Sequence, residues 1–152
     1  TLVVIGEGEP KYEAYFKELE KQYPKHVFFH HGFDQALSQR SYAAADFFLL
    51  PSLFEPCGLN HMIAMRYGTL PIVRETGGLK DTVFKEGPKQ NGYTFKNYDQ
   101  EEFEAAYDIA LKDYYEKNDT FYKKIKHAMH VTSHLDEMAQ RYEDVYQKIL
   151  DI

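Results

Sequence analysis

Apolar positions along this chain fall into two kinds of run. Thr1 to Gly6 (T-L-V-V-I-G), His26 to His31 (H-V-F-F-H-H), Phe47 to Leu50 (F-F-L-L) and Leu70 to Val73 are short, continuous and rich in β-branched or aromatic residues. That is the pattern of buried strands. Between them, apolar residues recur at helical spacing. Tyr12, Tyr15, Phe16, Leu19 and Tyr23 follow i, i+3, i+4, i+7, i+11 with a Lys/Glu face opposite, and Pro24 stops the run. Gln35 to Ala45 reads as a short helix. Leu59, Met62, Ile63, Ala64 and Met65 read as a mostly buried one, with Gly68 at its C-terminal end. Strands alternating with helices predict an α/β fold with a parallel sheet, right-handed crossovers and flanking helices.

The second half of the chain changes character. Lys85 to Gly92 is a polar, mobile loop, and Tyr93 to Phe95 a short strand. Asp99 is placed to cap a helix whose apolar face is Phe103, Ala106, Tyr107, Ala110, Leu111 and Tyr114. Asn118 or Asp119 caps another helix carrying Phe121, Ile125 and Ala128. Leu135, Met138, Tyr142, Val145, Tyr146 and Ile149 define a long terminal helix. The sheet is thus expected to end in a helical tail.

Ligands on a parallel sheet bind beyond the carboxyl ends of its strands. Gly6-Glu7-Gly8, Phe33, Glu55 to Leu59 and Thr76 to Gly78 all follow expected strand ends, so they are expected to share one rim. Two of these loops are glycine corners entering helices, Glu55-Pro56-Cys57-Gly58 and Thr76-Gly77-Gly78. Unpaired N–H groups at a helix start, together with the helix dipole, favour anions such as phosphate. Glycine lets a ligand approach the backbone, and Glu55 is placed to accept hydrogen bonds from sugar hydroxyls. These residue types point to a nucleotide or nucleotide-sugar site. Blander readings stay open beside it: Gly58 as a turn cap, Glu55 serving only the helix dipole, Cys57 as core filler. Gly6-Glu7-Gly8 lacks the third glycine of a dinucleotide fingerprint and reads as a tight turn. His30 and His31 are adjacent on a strand and point to opposite faces, so no metal site is expected.

F-E-P-C-G-L followed by R-Y-G-T-L-P-I-V-R-x-T-G-G-L-x-D-T-V closely resembles the C-terminal domain of bacterial glycogen synthases and plant starch synthases, retaining glucosyltransferases of the GT-B fold. The resemblance extends upstream through G-F-D-Q-A-L-S-Q-R-S-Y-A-A-A-D and I-G-E-G-E-P, covering nearly the whole chain. It implies a Rossmann-like C-terminal half, with residues 1–152 forming a single nucleotide-sugar-binding domain and the N-terminal catalytic half absent. It gives Glu55 to the donor glucose ring as the catalytic carboxylate, a positioner rather than a nucleophile. The backbone of Cys57, Gly58, Leu59 and Asn60 is given to the glucose and diphosphate. Thr76, Gly77 and Gly78 are given to the diphosphate and leaving group. Phe33 stands where the family places an adenine-stacking aromatic, usually tyrosine, and a loop aromatic that merely covers the core is an equal alternative. Ile63 replaces the second glutamate of the wider GT-B pattern, which is normal for the glycogen synthase branch. His61 stands where many relatives have glutamine.

The implied reaction transfers glucose from ADP-glucose to the non-reducing end of an α-1,4-glucan, with no cofactor beyond the donor and no metal required. The family's arginine–lysine pair and its lysine–glycine–glycine motif lie upstream of Thr1. The chain alone is therefore expected to fold without catalysing, with its partners being ADP-glucose, the glucan acceptor and the enzyme's own N-terminal domain. The terminal helix is expected to cross back to that domain. A GT-B transferase using UDP- or GDP-sugars, or a non-catalytic binding module on the same scaffold, are the alternatives.

Composition narrows the classes further. The 152 residues suffice for one core, and a formal net charge of -6 speaks against a nucleic-acid surface. The 13 Tyr and 11 Phe lie largely at helical spacing and are expected in the core. A single cysteine fits a reducing compartment, and no run is long enough to span a membrane. The expected location is the bacterial cytoplasm, or the plastid for a plant homologue.

Overall fold

A computed structural model describes residues 1–131 and 135–150, and the side chains of residues 135–137 lie outside that description. The chain forms two compact units, Thr1–Ala45 and Asp46–Ile152.

In the first unit the order is β1 (Leu2–Gly6), α1 (Pro10–Gln22), β2 (Val27–His31) and α2 (Gln35–Ala44). The strands pair in parallel, with Leu2 opposite Val27 and Gly6 opposite His31. Pro10 opens α1, where its fixed φ suits a helix and its missing N–H costs nothing. Phe16 stacks on Phe29 of β2 with ring centroids 5.8 Å apart. The apolar face of α1 is narrower than its spacing suggests. Phe16 and Leu19 are half-buried, whereas Tyr12, Tyr15 and Tyr23 are each more than half exposed. Tyrosine tolerates this because its hydroxyl keeps a place in water. His31 is engaged by Glu13, with Nε2 3.1 Å from Oε1. Asp34 caps α2 by accepting the Leu37 N–H at 2.8 Å.

The second unit contains β3 (Phe47–Leu50), α3 (Leu59–Arg66), β4 (Leu70–Arg74), α4 (Gly77–Thr82), β5 (Tyr93–Phe95), α5 (Gln100–Glu116), α6 (Asp119–His130) and α7 (Leu135–Leu150). Its sheet is parallel throughout, in the order β3-β4-β5. The central strand is the most deeply buried: Leu70, Ile72 and Val73 expose nothing. One core joins Leu70 and Ile72 to Met65, Phe95, Ala106, Ala110 and Phe121. Phe47 sits among the rings of Tyr93, Tyr114 and Phe121, meeting each edge-on at 5.9–6.2 Å. Asp99 caps α5 through the Glu102 N–H, and Asn118 rather than Asp119 caps α6 through the Phe121 N–H.

Several details differ from the pattern-based expectation. In α3 the buried residues are His61, Ala64 and Met65, whereas Leu59 and Ile63 are 62% and 43% exposed. The segment after α4 is polar but anchored at its far end. Asn91 is fully buried, accepts the Phe84 N–H on its side-chain oxygen and donates to the Thr82 carbonyl. Much of the aromatic content is not core: Phe54, Tyr98, Tyr115 and Tyr146 are all at least 60% exposed. Along α7, Met138, Tyr142, Val145, Tyr146 and Ile149 form an exposed apolar stripe. Leu135, expected on that face, has its side chain outside the described residues.

Candidate functional site

β3 ends at Leu50, and the chain runs through Pro51 to Gly58 before entering α3. β4 ends at Arg74, and Glu75 and Thr76 lead directly into α4. Adjacent parallel strands bring these two exits side by side, and the backbones touch. The Gly78 N–H donates to the Pro56 carbonyl at 3.3 Å. A Cβ on Gly77 would lie 1.9 Å from the Glu55 carbonyl oxygen, and one on Gly78 would lie 2.5 Å from the Cys57 carbonyl oxygen.

The glycines therefore do something that the sequence alone did not suggest. Gly58 and Gly77 both take positive φ, 76° and 45°. The space a side chain would need is filled by the protein itself. At Gly58 a Cβ would meet Leu79 Cδ2 at 2.7 Å, His61 Nδ1 at 2.9 Å and Glu55 Cγ at 3.2 Å. Glycine is required so that one corner can press against the other, and not simply to admit a ligand.

The two helix starts differ. No side chain caps α3 at Gly58 or α4 at Thr76, but at the start of α4 the N–H groups of Thr76, Gly78 and Leu79 donate to the carbonyls of Arg74, Pro56 and Thr76. Glu55 is half-buried beside this corner, Cys57 and Asn60 are exposed, and Gly58 is buried. Cys57 is thus a surface thiol and not core filler. Leu53, Phe54 and Leu59 form an apolar rim, 62–74% exposed. A carboxylate, the uncapped start of α3 and an apolar rim give the means to hold an anion and to hydrogen-bond hydroxyls beside it.

Sequence reasoning gave no role to two residues that shape the corner. Arg74 at the end of β4 donates from its guanidinium to the carbonyls of Ser52, Leu53 and Lys96, tying the exit of β3 to that of β5. Its only signal was a cation at a strand end. His61 is the other: fully buried, with Nε2 2.7 Å from Thr82 Oγ1 and Nδ1 without a partner. Burial pushes its imidazole below the ordinary histidine value, more strongly than the Gly58 backbone and the Glu55 carboxylate pull it up. The signal was a histidine at the third position of a helix that otherwise reads as apolar.

Phe33 lies in the first unit, on the loop after β2, and is 83% exposed, so it is not a cover for the core. Gly6 and Gly8 close the end of β1 in the same unit. In the second unit, an open groove of about 300 Å³ is lined by Pro51, Phe95, Tyr98, Asp99, Gln100 and Phe103, and none of Glu55, Gly58 or Gly77 lines it. No helix among the described residues is long and apolar enough to cross a membrane.

Comparison with known proteins bears on this geometry. A glycogen synthase of Clostridium kluyveri is 44% identical over 152 residues, covering 98% of this chain and 32% of that protein. One from Pseudothermotoga lettingae is 43% identical over 151 residues, covering 97% of this chain and 31% of its own length. The chain thus spans about a third of these relatives. Among solved structures, the catalytic domain of starch synthase IV from Arabidopsis thaliana, bound to ADP and acarbose, superposes with a TM-score of 0.80 at 34% identity, over 99% of this chain and 33% of that one. A sucrose-phosphate synthase from Thermosynechococcus elongatus shares the fold, with a TM-score of 0.66 at 22% identity over 99% of this chain and 38% of that one. The sequence model of the family described as Glycosyl transferases group 1 matches residues 1–128, so the chain belongs to the group 1 glycosyl transferases, with the parallel α/β architecture of the GT-B fold.

Proposed function

We propose that residues 1–152 are the C-terminal, nucleotide-sugar-binding domain of a glycogen synthase, taking ADP-glucose as donor and extending an α-1,4-glucan. The observation that carries this reading is the contact between the two glycine corners, with the Glu55 backbone against Gly77 and the Cys57 backbone against Gly78. In this reading the N–H groups of Cys57 to Asn60 and of Gly77 face the diphosphate, while Thr76 and Gly78, whose N–H groups donate to the Arg74 and Pro56 carbonyls, shape the turn beside it. Glu55 accepts hydrogen bonds from glucose hydroxyls. The resemblance assigns Phe33, whose ring is exposed within the first unit, to adenine. The ADP in the starch synthase IV structure and the glycogen synthase relatives support this choice of donor.

Transfer breaks the bond from the glucose anomeric carbon to the diphosphate oxygen. It forms a bond from that carbon to the acceptor hydroxyl oxygen on the same face, and the hydroxyl proton passes to the departing diphosphate. The corner contributes orientation and charge stabilisation to this step, and no protein nucleophile. Turnover then needs the arginine–lysine pair and acceptor contacts of the enzyme's N-terminal half. The exposed stripe of α7 is assigned to that half. The proposed compartment is the bacterial cytoplasm.

Calorimetric titration of the chain with ADP, UDP and GDP tests the reading. ADP is expected to bind tightest, and Glu55→Ala to weaken ADP-glucose while leaving ADP nearly unchanged. Tighter UDP or GDP binding would assign another base. Binding of none would leave a non-catalytic module.

A further inference from the structure

Helix α3 buries a histidine where its apolar pattern offers Leu59 or Ile63, and that histidine is only half satisfied. The direction of its one hydrogen bond follows from its partner. The single hydroxyl hydrogen of Thr82 goes to the Gly78 carbonyl at 2.7 Å. Thr82 Oγ1 therefore accepts from His61, and Nε2 carries the imidazole hydrogen across the 2.7 Å bond. Nδ1 is left as a bare lone pair facing Gly58, 2.9 Å from where a Cβ of that residue would sit. His61 is the third residue of α3 after the Gly58 cap, the place from which a glutamine or glutamate side chain reaches back to the cap. A buried acceptor without a donor costs free energy, and a leucine would fill the same space at no such cost.

The bonds form a directed relay. It runs from the first turn of α3, through His61 and Thr82, to the carbonyl of Gly78 in the first turn of α4. Both ends belong to the two corners that press together. We propose that His61 is a positioning residue of the donor site, holding the Glu55–Gly58 corner and the Thr76–Gly78 bend in register through Thr82, with its Nδ1 acceptor turned toward the Gly58 cap. This role rests on the donor-site reading above. The side chain touches no reacting atom; it fixes where the two corners stand relative to each other.

Three variants of this chain test the role, each titrated calorimetrically with ADP below its melting transition. His61→Leu keeps the bulk and removes both nitrogens. Thr82→Val removes the middle of the relay and keeps the imidazole. His61→Gln restores a donor toward Thr82 and an acceptor toward Gly58. His61→Leu and Thr82→Val are each expected to weaken ADP binding roughly tenfold, and His61→Gln to return it to the wild-type level. The imidazole ¹⁵N spectrum of the wild type is expected to place the hydrogen on Nε2. Lower melting temperatures with unchanged ADP affinity in His61→Leu and Thr82→Val would mark a purely structural histidine and overturn the proposal, as would a hydrogen on Nδ1. If His61→Leu does not fold, Thr82→Val carries the same comparison. Wild-type protein that fails to bind ADP overturns the donor-site reading and this role with it. Wild-type binding with unaffected variants removes the role of His61 alone.

Discussion

At the scale of single residues, the corner is defined by what does not fit. Gly77 combines a positive φ of 45° with a Cβ position 1.9 Å from the Glu55 carbonyl oxygen, so alanine there must push two backbones apart. Gly77→Ala is expected to destabilise the fold by about 1–3 kcal/mol. Gly8→Ala, with nothing within 4 Å of its Cβ position, is expected to stay within about 0.5 kcal/mol of wild type. Denaturant midpoints compare the two. The identity of the corner residues was legible in F-E-P-C-G-L and T-G-G because type and order are all a short motif needs. The reason for the glycines was not, because it lies in a contact between segments some twenty residues apart. His61 escaped for a different reason. Periodicity counts histidine as polar, and only the fold shows that α3 turns it inward in place of Leu59.

At the scale of elements, α5 and α6 are joined by charge as well as by apolar packing. Lys124 is 4% exposed, with Nζ 3.2 Å from Asp113 Oδ2 and 3.8 Å from the centre of the Tyr93 ring. Asp113 also accepts from the Tyr93 hydroxyl and the Asn118 amide. Burial alone would raise the Asp113 carboxyl, but hydrogen bonds from Asn118, Tyr93 and Lys124 outweigh it and hold the carboxyl below its ordinary value. The sign follows from linkage. A carboxylate depressed in the folded state contributes stability that is complete above its ordinary value and is lost as pH falls through the lower folded one. Asp113→Ala leaves the buried ammonium without its counter-ion and is expected to cost about 3–5 kcal/mol near neutral pH. Asp113→Asn is expected to flatten the loss of stability on acidification below the ordinary carboxylate range. Equilibrium unfolding across that range reads both. The helix caps at Asp99 and Asn118 were visible in sequence because capping is local. This network was not, since Tyr93, Asp113 and Lys124 meet only once β5, α5 and α6 are packed.

At the scale of the whole molecule, the order of elements was readable because each strand is a short apolar run and each helix a periodic one. Continuous runs such as F-F-L-L and L-P-I-V allow little else in a chain of this length. Burial was read less well. Aromatic residues at helical spacing were expected inside, yet Tyr12, Tyr15, Tyr142 and Tyr146 are each more than half exposed. Spacing reports which residues share a face, and the neighbour that covers the face lies elsewhere. For α7, the neighbour proposed above is the N-terminal half of a glycogen synthase. Membership of the group 1 glycosyl transferases rests on a match over residues 1–128, which takes in the first compact unit and most of the second.

The central claim is that the paired corners hold a sugar diphosphate, and backbone amide shifts in an isotopically labelled sample test it most directly. On addition of ADP and then ADP-glucose, the amides of Cys57 to Asn60 and Thr76 to Gly78 are expected to move with both ligands, and that of Glu55 chiefly with ADP-glucose. Shifts confined to other surfaces, such as the groove lined by Tyr98 and Phe103, with the two corners unmoved, would contradict the account.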